Sequence, residues 1–295
     1  MKRFNGIALS VAFCSLASQA ALAQTKIDTL KVQNLNEVIV KGVRATKEAP
    51  YAVANIRKPE LKQFSCSGQE LPFLLSRTPG ILAWSENGIG TGTTYMRIRG
   101  AAGSRINVTL DGVALNSPED QTVFWANMNS YSSLLGSIQV QRGVGSSTNG
   151  DGAFGGSISM ATAAPSLTPT AEVTGSFGSY NTYHTGASFS TGLLGKHLIF
   201  DGAYHETATD GYVDGTAGRS GSYYGGLTWL GDNFKVSYKN IGNFEKTGQA
   251  WSGVLGGDYN SSFTLLEDGI RTYKDMYKAG LDKFNVLTGD LVRNG

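Results

Sequence analysis

The chain has 295 residues, of which only 16% are charged, and its formal net charge is +2. Soluble domains usually carry about 25% charged residues, and the absence of a Lys/Arg cluster argues against nucleic-acid binding. The 39 glycines and 13 tyrosines favour short strands with tight turns and argue against disorder.

Residues 1–23 are predicted to be a cleaved signal peptide. A basic MKR start precedes an apolar run over 7–22, and Ala21-Leu22-Ala23 forms a small-x-small cleavage site. Serines interrupt the run, which favours cleavage over the alternative, an N-terminal membrane anchor. The mature chain then keeps one cysteine, Cys66, so neither an intramolecular disulfide nor a cysteine metal site is expected.

Residues 24–50 form a polar segment without a helical face. Two short runs with strand-forming residues, 30–32 and 38–40, stand out within it. Such a run on a flexible segment can add a strand to the sheet edge of another protein. A plain linker, or an edge strand of the next domain, is the alternative.

Residues 51–164 are predicted to be an α+β domain. A helical apolar cluster in ELPFLLSRTPG is stopped by Pro79-Gly80. Two alternating strands then flank a Gly-Ser turn, with Arg97 and Arg99 on one face of the first strand. Residues 137–142 and 156–161 alternate as two further strands.

Residues 165–295 carry repeated strands and are predicted to be the first part of a transmembrane β-barrel. Tyr183, Thr185, Ala187 and Phe189 lie on one face, opposite His184 and its polar neighbours. One apolar face against one polar face, in strands of about ten residues, is typical of a membrane barrel. A soluble β-sandwich also alternates, but the signal peptide favours the membrane. Short connections at 193–196 and 231–233 and long ones at 207–220 and 244–259 predict periplasmic turns and outer loops.

A nucleotide site is not supported by the glycine-rich stretch after residue 142. Residues 150–155 match GxGxxG, but no strand directly precedes them and a strand, not a helix, follows. We find no nucleophile–base pair, so the sequence predicts neither catalytic residues nor an enzyme.

Several segments together resemble one known family. LNEVIVKG (35–42), LPFLLSRTPGI (71–81), MRIRG (96–100), VTLDGVALN (108–116) and IQVQRGVGSSTNGDGAFGGSISM (138–160) resemble, in order and spacing, landmarks of TonB-dependent outer-membrane receptors. The first resembles their TonB box and the others their plug domain. Residues 170–295 resemble the start of the barrel by pattern alone.

The resemblance implies an outer-membrane importer of a scarce ligand, energised through the partner TonB. A ferric siderophore is the favoured ligand, with cobalamin, haem or another small chelate as alternatives, and no resident cofactor or metal is implied. The alternative from a different functional class is a secreted binding or adhesion protein built from a β-sandwich. Since the family's barrel has about 22 strands around a plugged lumen, we expect the chain to be an N-terminal fragment.

The TonB box is predicted at residues 36–41, with DTLKV at 28–32 as the rival segment. The mechanism requires only a detachable strip that can pair edge-to-edge with TonB. The predicted strip consists of Asn36, Glu37, Val38, Ile39, Val40 and Lys41.

Ligand-binding residues are predicted at two apices of the plug, 84–95 and 117–131. Aromatic side chains among amides suit a flat or catecholate-like ligand, although Phe124 and Trp125 could instead pack the plug against the barrel wall. His184 and His205 are a weaker candidate for haem iron or a metal, if the turn between their strands centres between residues 194 and 195. The predicted apex residues are Trp84, Asn87, Gly88, Thr91, Gln121, Phe124, Trp125 and Asn127.

Arg97, Arg99 and Arg142 are predicted to form a latch between plug and barrel. The polar face of their strands would look across the lumen at acidic groups of the barrel wall, and partly buried charge pairs of this kind can be rearranged. Their acidic partners are expected beyond residue 295.

Overall fold

The computed structural model describes residues 44–45, 50, 52–145, 153–251, 270 and 272–287. Contacts divide the chain into two units, Met1–Asn36 and Glu37–Gly295, and every described residue lies in the second. The predicted signal peptide, both candidate TonB-box segments and residues 146–152 lie outside the described residues.

The first part of the described chain alternates strands with short helices. Proline stands within the first turn of both leading helices, where a missing N–H leaves no hydrogen bond unmade. The elements are β1 (Ala52–Arg57), α1 (Lys58–Ser65), α2 (Leu71–Leu75), β2 (Ile81–Ser85), β3 (Thr94–Ile98), a 3-10 helix (Gly103–Arg105), β4 (Ile106–Leu110), β5 (Val113–Ala114), a second 3-10 helix (Trp125–Met128), α3 (Tyr131–Leu134), β6 (Leu135–Arg142) and β7 (Gly156–Thr162).

Five of these strands form one sheet in the order β1-β6-β7-β4-β5. β4 and β7 run parallel, and the other neighbours are antiparallel. The central strands bury branched apolar side chains, among them Ile138, Val140 and Ile158, in one core with Leu61 and Phe64 of α1. This arrangement confirms the predicted α+β domain.

The arginine-bearing strand β3 does not form the hairpin that the sequence predicted. It pairs with β2 in a separate two-stranded sheet, whereas β4 belongs to the five-stranded sheet. β3 ends at Ile98 because Arg99 and Gly100 have φ angles of 50° and 83°, and Ile98 and Ala101 exchange backbone hydrogen bonds across them. Since this tight turn removes Arg99 from the strand, the prediction that Arg97 and Arg99 share a strand face is wrong.

The second part of the described chain is an antiparallel sheet of five strands in chain order. Its strands are 8 to 13 residues long, close to the predicted ten. In the described residues this sheet is open, with its first and last strands at the edges, as expected for a plug followed by the first strands of a barrel. The elements are β8 (Thr170–Phe177), β9 (Tyr183–Ser190), β10 (Leu198–Thr209), β11 (Gly218–Leu230), β12 (Lys235–Thr247) and a later helix, α4 (Tyr273–Lys278).

The two faces of the open sheet have opposite chemistry, which confirms the predicted alternation. The face turned toward the plug carries polar side chains, and His184, His205 and Ser222 on it are buried. A soluble sandwich would pack its apolar faces together, but here the apolar face is the exposed one. Its exposed side chains are Val173, Phe177, Phe189, Phe200, Tyr204, Tyr223, Leu227, Trp229, Val236, Tyr238 and Phe244.

The connection between β10 and β11 is shorter than predicted, because both strands extend into the expected loop and leave only 210–217 between them.

The helix α4 was not predicted. It begins with a capping box in which the side chains of Thr272 and Asp275 each accept a backbone N–H of the other residue. Among the described residues, no helix combines the length and apolar character that crossing a membrane requires.

Candidate ligand platform and plug–barrel contacts

The first predicted apex is a loop built around Asn87. Its Oδ1 accepts hydrogen bonds from the Ser85 hydroxyl at 3.0 Å and the Ile89 N–H at 3.1 Å, and its Nδ2 donates to Thr91 Oγ1 at 2.5 Å. Asn87 and Thr91 are 3% and 5% exposed. In the described structure these two predicted ligand residues shape the loop and present little surface of their own.

This loop docks against the connection between β10 and β11. The Asn87 carbonyl accepts the N–H of Tyr212 at 2.9 Å and that of Val213 at 3.4 Å. Gly88, with a φ of 78°, lies beneath the Tyr212 side chain, where an added Cβ would approach ring and Cβ atoms to 3.2 Å. The apex and a barrel loop therefore form one joined surface.

The exposed face of the β2–β3 hairpin carries an aromatic platform. Trp84 and Tyr95 are register partners whose rings stack with centroids 5.4 Å apart, and the Arg97 guanidinium lies 5.8 Å from the Trp84 ring centroid. Both rings remain about 40% exposed. An exposed ring pair beside a cation can stack on a flat ligand and attract a negatively charged one.

Tyr95 is held in place by a carboxylate. Its hydroxyl donates to Glu86 Oε1 at 2.7 Å. Partial burial, the hydrogen bond to Glu86 and the charge of Glu86 together raise the pKa of Tyr95 to about 12. Tyr95 therefore stays a neutral donor throughout the physiological range.

The second predicted apex follows β5 and is tied down by Asn116. Its side chain accepts the Val108 N–H at 2.8 Å and donates to the carbonyls of Ile106 and Gln121 at 2.9 and 2.8 Å. Among the predicted ligand residues here, Gln121, Phe124 and Asn127 are exposed, whereas Trp125 is 5% exposed and belongs to the plug core.

The three predicted latch arginines lie away from the described barrel strands' carboxylates. Arg97 covers Trp84. Arg142 donates to the Pro79 carbonyl at 2.7 Å, and Arg99 lies beside Gly80 and Gly143. Within the described residues they brace the hairpin and the Pro79-Gly80 turn, so the latch through barrel carboxylates stays a prediction.

Two other ion pairs join the plug to the barrel wall, and the sequence did not single them out. Lys239 on β12 contacts Asp111 at 2.8 Å, and Lys62 on α1 contacts Glu172 on β8 at 2.8 Å. Burial alone would raise the pKa of Asp111, but hydrogen bonds from Lys239 and from the Thr162 amide and hydroxyl outweigh it and lower that pKa. Asp111 lies within the VTLDGVALN motif, but no sequence pattern identified Lys239 as its partner.

His184 and His205 lie on the inner face of the barrel sheet, but not directly opposite each other. His184 pairs with Thr207, and His205 pairs with Gly186. The predicted register is wrong by two residues because the turn centres between Gly195 and Lys196, which adopt φ angles of 55° and 71°. The rings still stack, with centroids 5.7 Å apart. Among the described residues, no group of three or more His, Cys, Asp or Glu side chains is arranged for a metal.

Comparisons with known proteins identify the first domain. Residues 45–157 match the family described as TonB-dependent Receptor Plug Domain. No curated protein matches the sequence at a significant level.

Solved structures share the fold at low identity. The FpvA receptor of P. aeruginosa, bound to heterologous pyoverdines, aligns with a TM-score of 0.58 and 18% identity over 72% of this chain and 28% of its own. The ferric yersiniabactin uptake receptor FyuA from Yersinia pestis aligns with a TM-score of 0.54 and 17% identity over 70% of this chain and 34% of its own. The copper transporter OprC has a TM-score of 0.54 and 14% identity, with 70% and 32% coverage.

The chain thus spans about a third or less of the length of these receptors. Its plug domain and the open sheet that follows correspond in order and fold to the plug and the first barrel strands of such proteins. Residues 45–157 therefore match the plug-domain family of TonB-dependent receptors, and the fold of the chain is similar to that of the solved receptors.

Proposed function

We propose that this chain is part of an outer-membrane receptor that imports a small, scarce chelate, with a ferric siderophore as the favoured cargo. The observation that carries this proposal is the exposed Trp84–Tyr95 stack with Arg97 beside it, on a plug hairpin joined to a barrel loop. Ferric siderophores combine flat chelating groups with negative charge, which suit stacking and a cation. We assign it no catalytic role.

The similar structures support this class without naming the ligand. Two of them are receptors for ferric siderophores or their pyoverdine complexes, and one is a copper transporter. Cobalamin, haem and other metal chelates therefore remain the alternative cargoes. The exposed apolar face of the barrel sheet supports placement in the outer membrane, where lipid would cover it.

Ligand binding can be tested at the platform. Purified protein in detergent is titrated calorimetrically with a panel of ferric siderophores, haem, cobalamin and copper chelates. Trp84→Ala and Tyr95→Ala should each weaken binding of the recognised ligand by about tenfold, as loss of an aromatic contact commonly does. Val113→Ala, at another exposed apolar plug residue, serves as the matched control. Equal affinity in all three variants would exclude the platform as the ligand site.

The TonB partnership is tested separately at the predicted box. Proline at Val38 or Ile39 removes a ladder hydrogen bond, so edge-to-edge pairing with TonB should fail. Uptake of radiolabelled ligand by cells should be lost while binding to isolated membranes persists. A second proline variant at Leu30 tests the rival segment 28–32, and a joint loss of binding and uptake would exclude either assignment.

A further inference from the structure

Arg44 fastens the chain that precedes the plug to the plug sheet. Its Nε donates to the Ser159 hydroxyl at 3.1 Å, and its Nη1 donates to the Ser137 hydroxyl at 3.0 Å. Its Nη2 donates to the carbonyls of the same two residues, at 2.9 Å to Ser159 and 3.3 Å to Ser137. One guanidinium therefore joins two neighbouring strands, β6 and β7.

The next residue, Ala45, is held by a side-chain amide. Its N–H donates to Gln139 Oε1 at 2.7 Å, and Gln139 Nε2 donates back to the Ala45 carbonyl at 3.1 Å. Gln139 thus pairs with both polar groups of one backbone residue, as a neighbouring strand would. It is itself only 8% exposed, and its Nε2 also donates to Asn55 Oδ1 on β1 at 3.0 Å. We call this set the N-terminal clamp: Arg44, Ala45, Ser137, Gln139 and Ser159.

The register of the plug sheet explains why these acceptors lie together. Asn55, Gln139 and Ser159 are register partners across β1, β6 and β7. Because side chains alternate between the faces of a strand, this polar row lies opposite Ile138 and Ile158, which belong to the apolar core. The clamp uses only the polar face, so we expect the plug to keep its fold when the clamp is removed.

The geometry of the clamp requires an arginine. A guanidinium presents its N–H donors in a fixed planar fork, whereas a lysine offers a single nitrogen and cannot reach acceptors on two strands in the same way. Hydrogen bonds from a charged donor are also stronger than those between neutral groups. Several such bonds that are loaded together resist a pull that would break any one of them.

The clamp stands between the N-terminal segment and the first strand of the plug. Arg44 follows both segments predicted to pair with TonB, 28–32 and 36–41, and β1 begins only at Ala52. β1 is an edge strand of the sheet β1-β6-β7-β4-β5, whereas β6 and β7 lie inside it. A pull on the chain before Arg44 therefore loads the inner strands before it loads β1.

We propose that the N-terminal clamp is the point at which the pull of TonB enters the plug, with Arg44 as the positioning residue. This inference rests on the proposed function, in which TonB pairs with the segment before the clamp. The clamp distributes the load over β6 and β7 and keeps the edge strand β1 from being peeled away. Without it, residues 44–51 become slack that measures at most about 29 Å when fully extended, and a pull of limited length first takes up that slack.

Single-molecule force measurements on the receptor in lipid bilayers, pulled from its N-terminal segment, test the clamp without TonB or an imported ligand. The wild type should show an early rupture that releases at most about 29 Å of chain before the plug sheet yields. Arg44→Ala and Gln139→Ala should each lack this rupture, and Arg44→Lys should lower its force. Arg105→Lys, at an exposed arginine of the same domain, should behave as the wild type does. A wild type without the early rupture, or alanine variants that retain it, would overturn the proposal.

Uptake by cells tests whether the clamp serves energy coupling. Arg44→Ala and Gln139→Ala should each lower the uptake of ferric siderophores labelled with radioactive iron at least fivefold, while their binding to isolated membranes stays at the wild-type level. Arg105→Lys should import as the wild type does. Wild-type uptake in both alanine variants would overturn the role of the clamp in coupling. A wild type that imports no ferric siderophore would instead count against the proposed function, and the force measurement would still decide whether the clamp bears load.

Discussion

The plug sheet and the barrel sheet are built from similar strands, but the plug sheet buries its apolar side chains and the barrel sheet exposes them. β6 and β7 bury Ile138, Val140 and Ile158 inside the plug, whereas the barrel strands leave residues such as Val173 and Tyr238 exposed. The plug is therefore stabilised by its own apolar core. The barrel sheet, in contrast, depends on its surroundings to cover its apolar face.

The boundary between the two regions is correspondingly polar. The ion pairs Lys239–Asp111 and Lys62–Glu172 cross it, as does the hydrogen bond from Ser176 to the Cys66 carbonyl at 2.5 Å. In the part of the chain that the structure describes, the inner wall contributes three partly buried apolar side chains to the plug core, Ala203, Tyr224 and Ile241. Individually weak polar contacts can be exchanged for water, so we expect the plug to keep its fold when these contacts are lost.

The largest expected effect comes from opening the plug core. Leu74→Ala removes a fully buried side chain and should lower the free energy of unfolding by about 2–5 kcal/mol. Val173→Ala, on the exposed face of β8, should change it by less than about 0.5 kcal/mol in detergent. Urea titration followed by tryptophan fluorescence measures both. Similar losses in the two variants would contradict the contrast between the regions.

A charge on the exposed face of the barrel sheet tests whether lipid covers it. Tyr223→Arg, in the middle of β11, should cost about 2–4 kcal/mol in phospholipid vesicles because an arginine would meet hydrocarbon. Asn243→Arg places the same side chain on the inner face of β12, where we expect a much smaller cost. Folding titrations into vesicles measure the difference, and equal costs would argue against a lipid-facing surface.

A methyl group added at Gly88 should weaken the contact between the first apex and the connection between β10 and β11. Gly88→Ala forces a left-handed φ on a residue with a Cβ and crowds Tyr212, at an expected cost of about 1–2 kcal/mol. Gly103→Ala is the control, since nothing lies within 4 Å of its added Cβ. Thermal unfolding of the two variants should differ by several degrees, and a neutral Gly88→Ala would exclude the docked geometry.

The smallest expected effect is at the Lys239–Asp111 pair. Asp111→Asn keeps an acceptor for Thr162 and removes the charge, so it should cost about 1 kcal/mol. Because the folded pKa of Asp111 is lowered, its stabilisation is present above about pH 4, the unfolded value, and is lost as pH falls through the folded value. Unfolding midpoints from pH 7 to pH 3 should fall less in the variant than in the wild type; parallel curves would count against this contribution.

Local patterns in the sequence predicted much of this architecture. Period-two alternation in β9 and β10 assigned the faces of the barrel sheet, since each strand has one polar face. The turn at Arg99-Gly100 was not predicted, because arginine rarely adopts a positive φ. The sequence pattern favoured a turn at the glycine-serine pair four residues later. A similar turn at Gly195-Lys196 shifted the histidine register.

Contacts across the plug–barrel boundary could not be read from the sequence. Asp111 and Lys239 are 128 residues apart, and nothing local to either residue identifies its partner. The burial of Asn87, Thr91 and Trp125 likewise depends on tertiary packing, which single-residue chemistry does not report. Trp84 was recognisable as a candidate because the polar run Ser85-Glu86-Asn87 follows it directly.

Native-state hydrogen exchange in increasing urea tests the central claim, that the plug is one apolar unit held to the wall by polar contacts. Amides of α1, β6 and β7 should share one opening free energy, and those of β10 and β11 should share a different one. Asp111→Asn should lower each value by no more than about 1 kcal/mol, while it speeds exchange most at the boundary. A single opening event that includes β7 and β12 together would contradict the account.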